Sequence, residues 1–599
     1  EAGFAEAEVV VEDTFETPRQ MPAFIETESG VAWVEEDVLV VQSGAQNPFR
    51  DRREIARSLG IPAERIRVHA APLGGGFGGK DGITVQIHLA LAAWWTKRPV
   101  RLFWDRAESG LAGWKRHPFR ITLKTGARRD GALVAQQARV VGDTGAYVGY
   151  GPAVVCVAAE SVSGPYRIPN VRVDAYCVLT NNTPSGAVRG FGAVQACLAM
   201  ECQMDALAEA LSADPLELRK KNALRKGDRA PLGNVLESSV RFEDTLAAVE
   251  ASAAWKTREA WKRASPRPWV RRGVGVASGV KGVGLGHLPD RGAVALELTP
   301  EGTFRLGVGL AEMGEGITTG FVQIAAEALG CAPEDIELLP VDTDRVPECG
   351  GADASRSTMT GGNAILRAAP LMEALLRREG AALLEVAEED LELRDGRVRS
   401  RSAPDRSVSY GEIGGRLRDR GDPARVEGRY EWPVTDEHIP GGMELPHLVY
   451  AFATHLARVE VDTLTGRVRV LDVVAAHDVG RVINPQGLEG QSEGGALYSA
   501  GLGLWEDTLL ADGVMKTPSF TTYLIGTAAD APEVETPLVE GHEPLGPFGA
   551  KGAGEIVTLP TAAAVVNAIR DAAGVRIHRT PATPERVFWA LREKEKAAP

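Results

Sequence analysis

Six glycine-rich stretches, separated by ordinary strand- and helix-forming sequence, set the terms for any fold this chain adopts. They are "APLGGGFGGKDG" (71–82), "GAVRGFGAVQA" (186–196), "EMGEGITTG" (312–320), "CGGADASRSTMTGGNA" (349–364), "GRVINPQGLEGQSEGG" (480–495) and "GPFGAKGAGEIVTLP" (546–560). Glycine lets a backbone take left-handed angles and come close to another group. Several of these stretches run into helix-periodic sequence, and a helix N-terminus offers unpaired N–H groups to an anion. One nucleotide needs one such loop, whereas six suit a large, polar, phosphate-bearing ligand gripped from several sides. From Gly74 to Lys80 the first stretch also fits seven positions of the phosphate loop G-x-x-x-x-G-K-[ST]. The eighth is Asp81, a carboxylate where Mg²⁺ needs a hydroxyl. A P-loop-like nucleotide-binding protein is therefore the alternative to a multi-loop cofactor site.

Between the loops, residues 31–41 predict strand–turn–strand and 65–73 a strand. The pattern predicts a helix over 82–97, a β-meander over 119–147 turning at Arg129-Asp130-Gly131, and a helix over 193–211. The second half repeats the mixture with a hairpin at 293–309, a helix at 317–330, a strand pair at 457–480 and a helix at 559–574. This is an α+β pattern with no regular βαβ series and no solenoid period. A basic, tryptophan-bearing stretch suggests a division into domains 1–250 and 273–599 with a linker at 251–272. The net charge of −14 argues against a nucleic-acid partner. No apolar run has the length of a membrane-spanning helix, and the acidic start lacks a signal-peptide pattern, so a cytoplasmic protein is expected. The six cysteines include no C-x-x-C pair, so zinc and iron–sulfur sites are expected on other chains, if anywhere.

Taken together and in this order, "GGGFGGKD", "AVRGFGAVQA", "EMGEGITTG", "DVGRVINPQGLEGQSEGG" and "PFGAKGAGE" resemble the molybdenum-cofactor subunit of the xanthine dehydrogenase/aldehyde oxidase family, the molybdenum hydroxylases. The likeness runs from about residue 15 to 575. It implies two large molybdenum-cofactor-binding domains and a molybdopterin-type cofactor, as Mo-MPT or its cytosine dinucleotide form. The metal would be held through the pterin dithiolene with no direct protein ligand. Partner iron–sulfur and FAD subunits would carry [2Fe–2S] clusters and FAD, in a dimer of heteromers. Family members carry a smaller N-terminal α/β domain ahead of the region where this chain begins. It is expected on a separate polypeptide, or to have been removed, or to lie outside a partial chain.

The resemblance also assigns roles. Glu555 matches the family's general base, and a carboxylate between Gly554 and apolar "IVTLP" suits that task because partial desolvation favours proton uptake. Gln46 matches a glutamine that donates to an oxygen at the metal. Phe77, Gly78 and Gly79 would lie against the cofactor. Arg189 matches an arginine that binds a substrate oxygen, and Phe191 an aromatic that stacks on a flat substrate. Further cofactor contacts are expected at Gly314, Glu315, Gly316, Ala354, Ser355, Arg356, Gln491 and Gly554. Glu315 departs from the family, where glutamine is common. A charged carboxylate there would repel a phosphate, so it either turns away or holds a proton. Asp81 stands where purine-oxidising members carry glutamate. Residues 154–161 lack those members' second substrate arginine, and 279–289 lack their second aromatic, with only His287 nearby. The expected reaction is hydroxylation of an aldehyde or a nitrogen heteroaromatic, with a xanthine-like substrate less favoured. A carbon monoxide dehydrogenase would need a cysteine in 186–196, and there is none.

Overall fold

The computed structural model describes residues 1–286, 288–433 and 445–597; His287 lies outside them. Four sheets, each backed by helices, carry the architecture. The first runs in the order Val9–Glu16, Phe119–Ala127, Leu133–Gly145, Asn170–Leu179, with the last pair parallel and the others antiparallel. The second orders Ile66–Ala70, Val38–Ser43, Ser29–Glu35 and Val100–Phe103, against the helices Pro48–Leu59 and Gln86–Thr96. In the second half, Val468–Asp478, Val449–Asp462 and Val270–Val283 are the long strands of a five-stranded sheet that Glu533–Glu535 and Leu538–Val539 complete. Ile336–Leu338, Phe304–Val308, Arg291–Leu298 and Arg425–Glu431 form the other.

Two helices join these layers. Ala193–Leu211 is buried along most of its length and has cores on both sides: Ala196, Ala199 and Met200 face the Phe119/Ile121 core, while Val194, Cys197 and Leu198 face Ala453, Val459 and Val565. Its polar residues Gln195, Glu201 and Gln203 are buried as well, as befits an interior helix. Thr561–Ala573 is the second. Its residues 561–569 are all buried, which accounts for an apolar run, 556–573, long enough on paper to span a membrane. Gly273 and Gly275 let the Val270–Val283 strand lie directly on it: a Cβ at either position would sit 2.1 Å from a carbonyl oxygen of that helix.

The cores cross the 251–272 stretch. That stretch folds into the short helices Ala253–Lys256 and Arg258–Arg263, with Trp255 packed into the Phe119/Ile121 core beside Val276 and Phe452. Fully buried Glu201 pins the same junction. It accepts from Arg219 Nε at 2.8 Å, Tyr166 OH at 2.6 Å and the Ser278 amide at 2.7 Å.

The stretch read as a loop at 480–495 differs from expectation. It opens a 20-residue helix, Pro485–Leu504, capped by the Asn484 side chain on the Gly487 amide and started by Pro485. Its glycines forgo helix propensity for proximity, since a Cβ at Gly495 would sit 2.6 Å from the Val557 carbonyl oxygen.

Candidate active site

The glycine stretches converge on one cavity of about 720 Å³. Of the sixteen site residues expected from sequence, all but Gly79 and Gly316 line it. Those two shape the wall from behind. Gly79 has Pro22 where a Cβ would go, at 2.6 Å, and Gly316, at φ +78°, caps the Ile317–Leu329 helix. Left-handed backbone marks the lining: Phe77 (φ 52°), Phe191 (43°), Ala354 (45°) and Ser355 (54°) all adopt it. Such angles cost non-glycine residues of order 1–3 kcal/mol and gather where a site needs an unusual path.

Two walls suit an anionic, flat ligand. The Ser357–Leu384 helix begins at the cavity with no side-chain cap on its first turn, whereas the Glu312 carboxylate already takes the Gly316 and Thr318 amides at the start of Ile317–Leu329. On the Pro485–Leu504 helix, Gly490 and Gly494 lie four residues apart on one face, flanking Gln491 along the lining, and nothing stands within 4 Å of where their Cβ atoms would be. Larger side chains there would fill the space. The donors and room present fit a molybdopterin.

Gln46, 1% exposed, is locked by its neighbours. Its Nε2 donates to the Ala352 carbonyl at 2.8 Å and its Oε1 accepts from the Gly78 amide at 3.0 Å. These partners fix which end of the amide is nitrogen and leave the second Nε2 hydrogen for a ligand. Gly78 must be glycine, because a Cβ would meet the Ala187 carbonyl oxygen at 2.8 Å with φ at +92°.

The turn Gly190-Phe191-Gly192 has three successive positive φ angles, 94°, 43° and 95°. It turns the Gly190 amide onto Glu555 Oε1 at 2.9 Å. The Glu555 amide in turn donates to Ser355 Oγ at 3.1 Å, so three distant loops hold one carboxylate. Its other oxygen, Oε2, has no hydrogen-bond partner but lies 3.1 Å from the Lys281 ammonium. Arg189 ties the same loops together: Nε donates to the Gly554 carbonyl at 2.5 Å and Nη2 to Gln491 Oε1 at 2.8 Å. Burial pulls its guanidinium down to about 10, against the pull of Tyr498 and Glu555, so it stays cationic at neutral pH.

Phe191 meets Tyr150 edge to face at 5.9 Å, and Phe77 stacks on Tyr498 at 5.6 Å. Asp81 pairs with Arg50 Nη2 at 3.0 Å, and Arg50 Nη1 reaches the Tyr150 hydroxyl. Burial, then the Asp81 charge, pushes the nearby Asp353 carboxyl up to about 7. Lys281, Arg50, Tyr150 and Tyr498 escaped the sequence reading. Lys281 left one trace, a lone lysine in the small-residue strand "GVASGVKGV".

Glu315 resolves as a proton holder. Burial, then the charge of Glu312, pushes its carboxyl up to about 8, so it is mostly neutral at pH 7. Glu312 stays ionised: the Gly314, Gly316 and Thr318 amides and the Thr318 hydroxyl, at 2.8–3.1 Å, outweigh its burial. The nucleotide alternative loses its lysine. Lys80 is 1% exposed and turned away from the cavity, with Nζ 3.5 Å from Glu26 and 4.8 Å from the Phe24 ring centre.

With this geometry in view, likeness to known proteins is specific. Two descriptions of a molybdopterin cofactor-binding domain match residues 1–223 and 248–532. A probable xanthine dehydrogenase subunit from Bacillus subtilis is 37% identical over 99% of this chain and 78% of that protein. An aldehyde oxidoreductase of Megalodesulfovibrio gigas is 31% identical over 98% of this chain and 62% of that protein. The crystal structure of quinoline 2-oxidoreductase from Pseudomonas putida superposes with a TM-score of 0.90 at 28% identity, over 99% of this chain and 77% of its own.

Proposed function

The chain belongs to the molybdenum-cofactor-binding subunits of the xanthine dehydrogenase/aldehyde oxidase family, and from that premise we propose that it hydroxylates an aldehyde or nitrogen heteroaromatic. The balance is R–H + H₂O → R–OH + 2 H⁺ + 2 e⁻. The cofactor, when bound, would supply the two-electron acceptor and carry the oxygen that is transferred, with water as its source. One observation carries the reading: Glu555 and Gln46, far apart in sequence, face one cavity whose other walls are donor-rich and glycine-lined.

In this reading Glu555 takes a proton at Oε2, the oxygen that no backbone group occupies. Gln46 donates its second amide hydrogen into the cavity, which orients an oxygen without protonating it. Phe191, steadied by Tyr150, offers a face to a planar substrate, and Asp81 with Arg50 forms a polar end for it. Arg189 holds Gly554 and Gln491 while adding positive charge where negative charge develops. Neutral Glu315 can border a phosphate-bearing group as a glutamine would. The substrate range follows from relatives whose names give xanthine, an aldehyde and quinoline.

The Bacillus relative is named as one subunit among several, which implies a multisubunit enzyme. The partners in this proposal are an iron–sulfur subunit and an FAD subunit in a cytoplasmic dimer of heteromers, and the proposed division of the chain is into domains 1–250 and 273–599 joined through 251–272. Molybdenum analysis of the purified complex, with a dye-reduction screen over aldehydes, pyridine-type heterocycles and xanthine, tests the reading. Glu555→Gln should keep molybdenum bound and lower kcat/KM by about 10²–10⁴-fold, the usual worth of a general base. Full turnover by that variant removes Glu555 from the chemistry.

A further inference from the structure

The geometry points to Lys281 as a positioning residue that acts through Glu555, holding the carboxylate ionised and fixed in one orientation at the cavity wall. The inference rests on the reading of Glu555 as the base. Lys281 lies near the end of the Val270–Val283 strand, where its backbone pairs with Ala451. Its side chain is 3% exposed, and Nζ sits 3.1 Å from Glu555 Oε2 while donating to the Gly282 carbonyl at 2.9 Å. A lysine of this length in water sweeps many rotamers; here two anchors and burial leave it one position.

The strand end that carries Lys281 is braced. The His447 ring occupies the place of a side chain on Gly282, with Cγ 2.2 Å from where a Cβ would be. Glu160 clamps His447 through Nδ1 at 2.7 Å and the backbone amide at 3.0 Å. The ammonium therefore meets Glu555 from a rigid wall.

The two carboxylate oxygens are treated differently. Oε1 is anchored by a backbone N–H, a fixed donor that cannot give up a proton. Oε2 is buried against a cation with which it makes no aligned hydrogen bond, so no donor occupies its lone pairs. A buried carboxylate without a partner charge tends to neutralise, and a protonated base accepts nothing. An opposite charge at this distance works against that outcome.

Other charged and titratable groups face the cavity and set the background. Arg189 remains cationic below about pH 10, Arg356 is paired with Asp290, and His447 is paired with Glu160. Burial raises the phenol of Tyr498, keeping it neutral. Asp353 and Glu315 titrate near 7 and 8, and Asp81, Arg50 and Tyr150 form their own cluster across the cavity. Because several groups change charge between pH 5 and 9, the difference between variant and wild type isolates Lys281.

The experiment compares pH profiles of kcat/KM for the assembled complex carrying Lys281→Met, Lys281→Gln, Lys281→Arg or the wild-type residue, with molybdenum content and unfolding midpoint measured on each. Removing the charge should move the acid-side midpoint up by about 1–2 pH units, the usual effect of an opposite charge at a few ångströms. Arginine should restore most of the wild-type profile, and molybdenum content should stay constant. A structural lysine alone would change stability and leave the midpoint in place. Profiles of Lys281→Met and Lys281→Gln that superimpose on wild type overturn the inference, as does failure of arginine to restore what glutamine loses. If Glu555→Gln also turns over fully, the base assignment itself has fallen. If it is inactive while the lysine variants keep the wild-type profile, only the role of Lys281 has.

Discussion

Replacing Gly552 by alanine tests whether the Glu555 loop and the Ser355 loop must touch. A Cβ at residue 552 would stand 1.7 Å from the Ser355 carbonyl oxygen and 2.6 Å from its carbonyl carbon. Both are backbone atoms, so no rotamer relieves the clash. The two segments must part by roughly 1.7 Å to regain ordinary contact at 3.4 Å. Ser355 is already at φ +54° and has little freedom to yield. Parting them breaks the 3.1 Å bond from the Glu555 amide to Ser355 Oγ and shifts the carboxylate. Overpacking of this kind costs about 1–3 kcal/mol, and a misplacement of about 1 Å costs on the order of 10²-fold in rate. Dye-reduction turnover per bound molybdenum should therefore fall about 100-fold, with a lower urea midpoint. Gly415→Ala serves as the control. It sits in the Tyr410–Asp419 helix with nothing within 4 Å of the added carbon. It should leave turnover intact and add about 0.5–1 kcal/mol of stability. Wild-type turnover per molybdenum and an unchanged midpoint in Gly552→Ala would refute the reasoning.

Arg219→Leu strands Glu201 and Asp205 in the core and should cost about 3–5 kcal/mol, read as a shifted denaturation curve. A change below about 1 kcal/mol would mean that the cluster contributes little. Glu315→Gln probes the proton on that side chain. Its folded-state carboxyl titrates at about 8, above the ordinary 4.5, so its stabilising contribution is whole below 4.5 and is lost as pH climbs through 8. The variant should match wild type near pH 5 and be the more stable protein at pH 9; parallel stability curves across that range would count against a protonated Glu315.

How much of this was legible in the sequence depends on the element. The helices 193–211 and 561–573 and the hairpins announced themselves through periodicity and glycine stops, as at Gly330 and Gly574. The 485–504 helix did not, because its glycines depress propensity; what holds it is the Asn484 cap and the close approach of Gly495 to Val557, contacts that exist only in three dimensions. The ordered glycine motifs pointed to one shared cavity, and the family resemblance they carry is what singled out Glu555 and Gln46. Lys281 and Tyr498 stayed hidden. A lysine in a strand and a tyrosine in a helix look ordinary until the chain brings Nζ to 3.1 Å from Glu555 and the Tyr498 ring onto Phe77. The proton on Glu315 was left open between two options and depended on burial and on Glu312, neither readable from spacing alone.

The central claim is that one cavity holds the molybdenum beside Gln46 and Glu555. Diffraction from crystals of the assembled complex, recorded on either side of the molybdenum absorption edge, tests it most directly. The account predicts a single strong anomalous peak per chain inside the cavity, between the Gln46 amide and the Glu555 carboxylate. A peak elsewhere on the chain, or on a partner protein with this cavity empty, would contradict it.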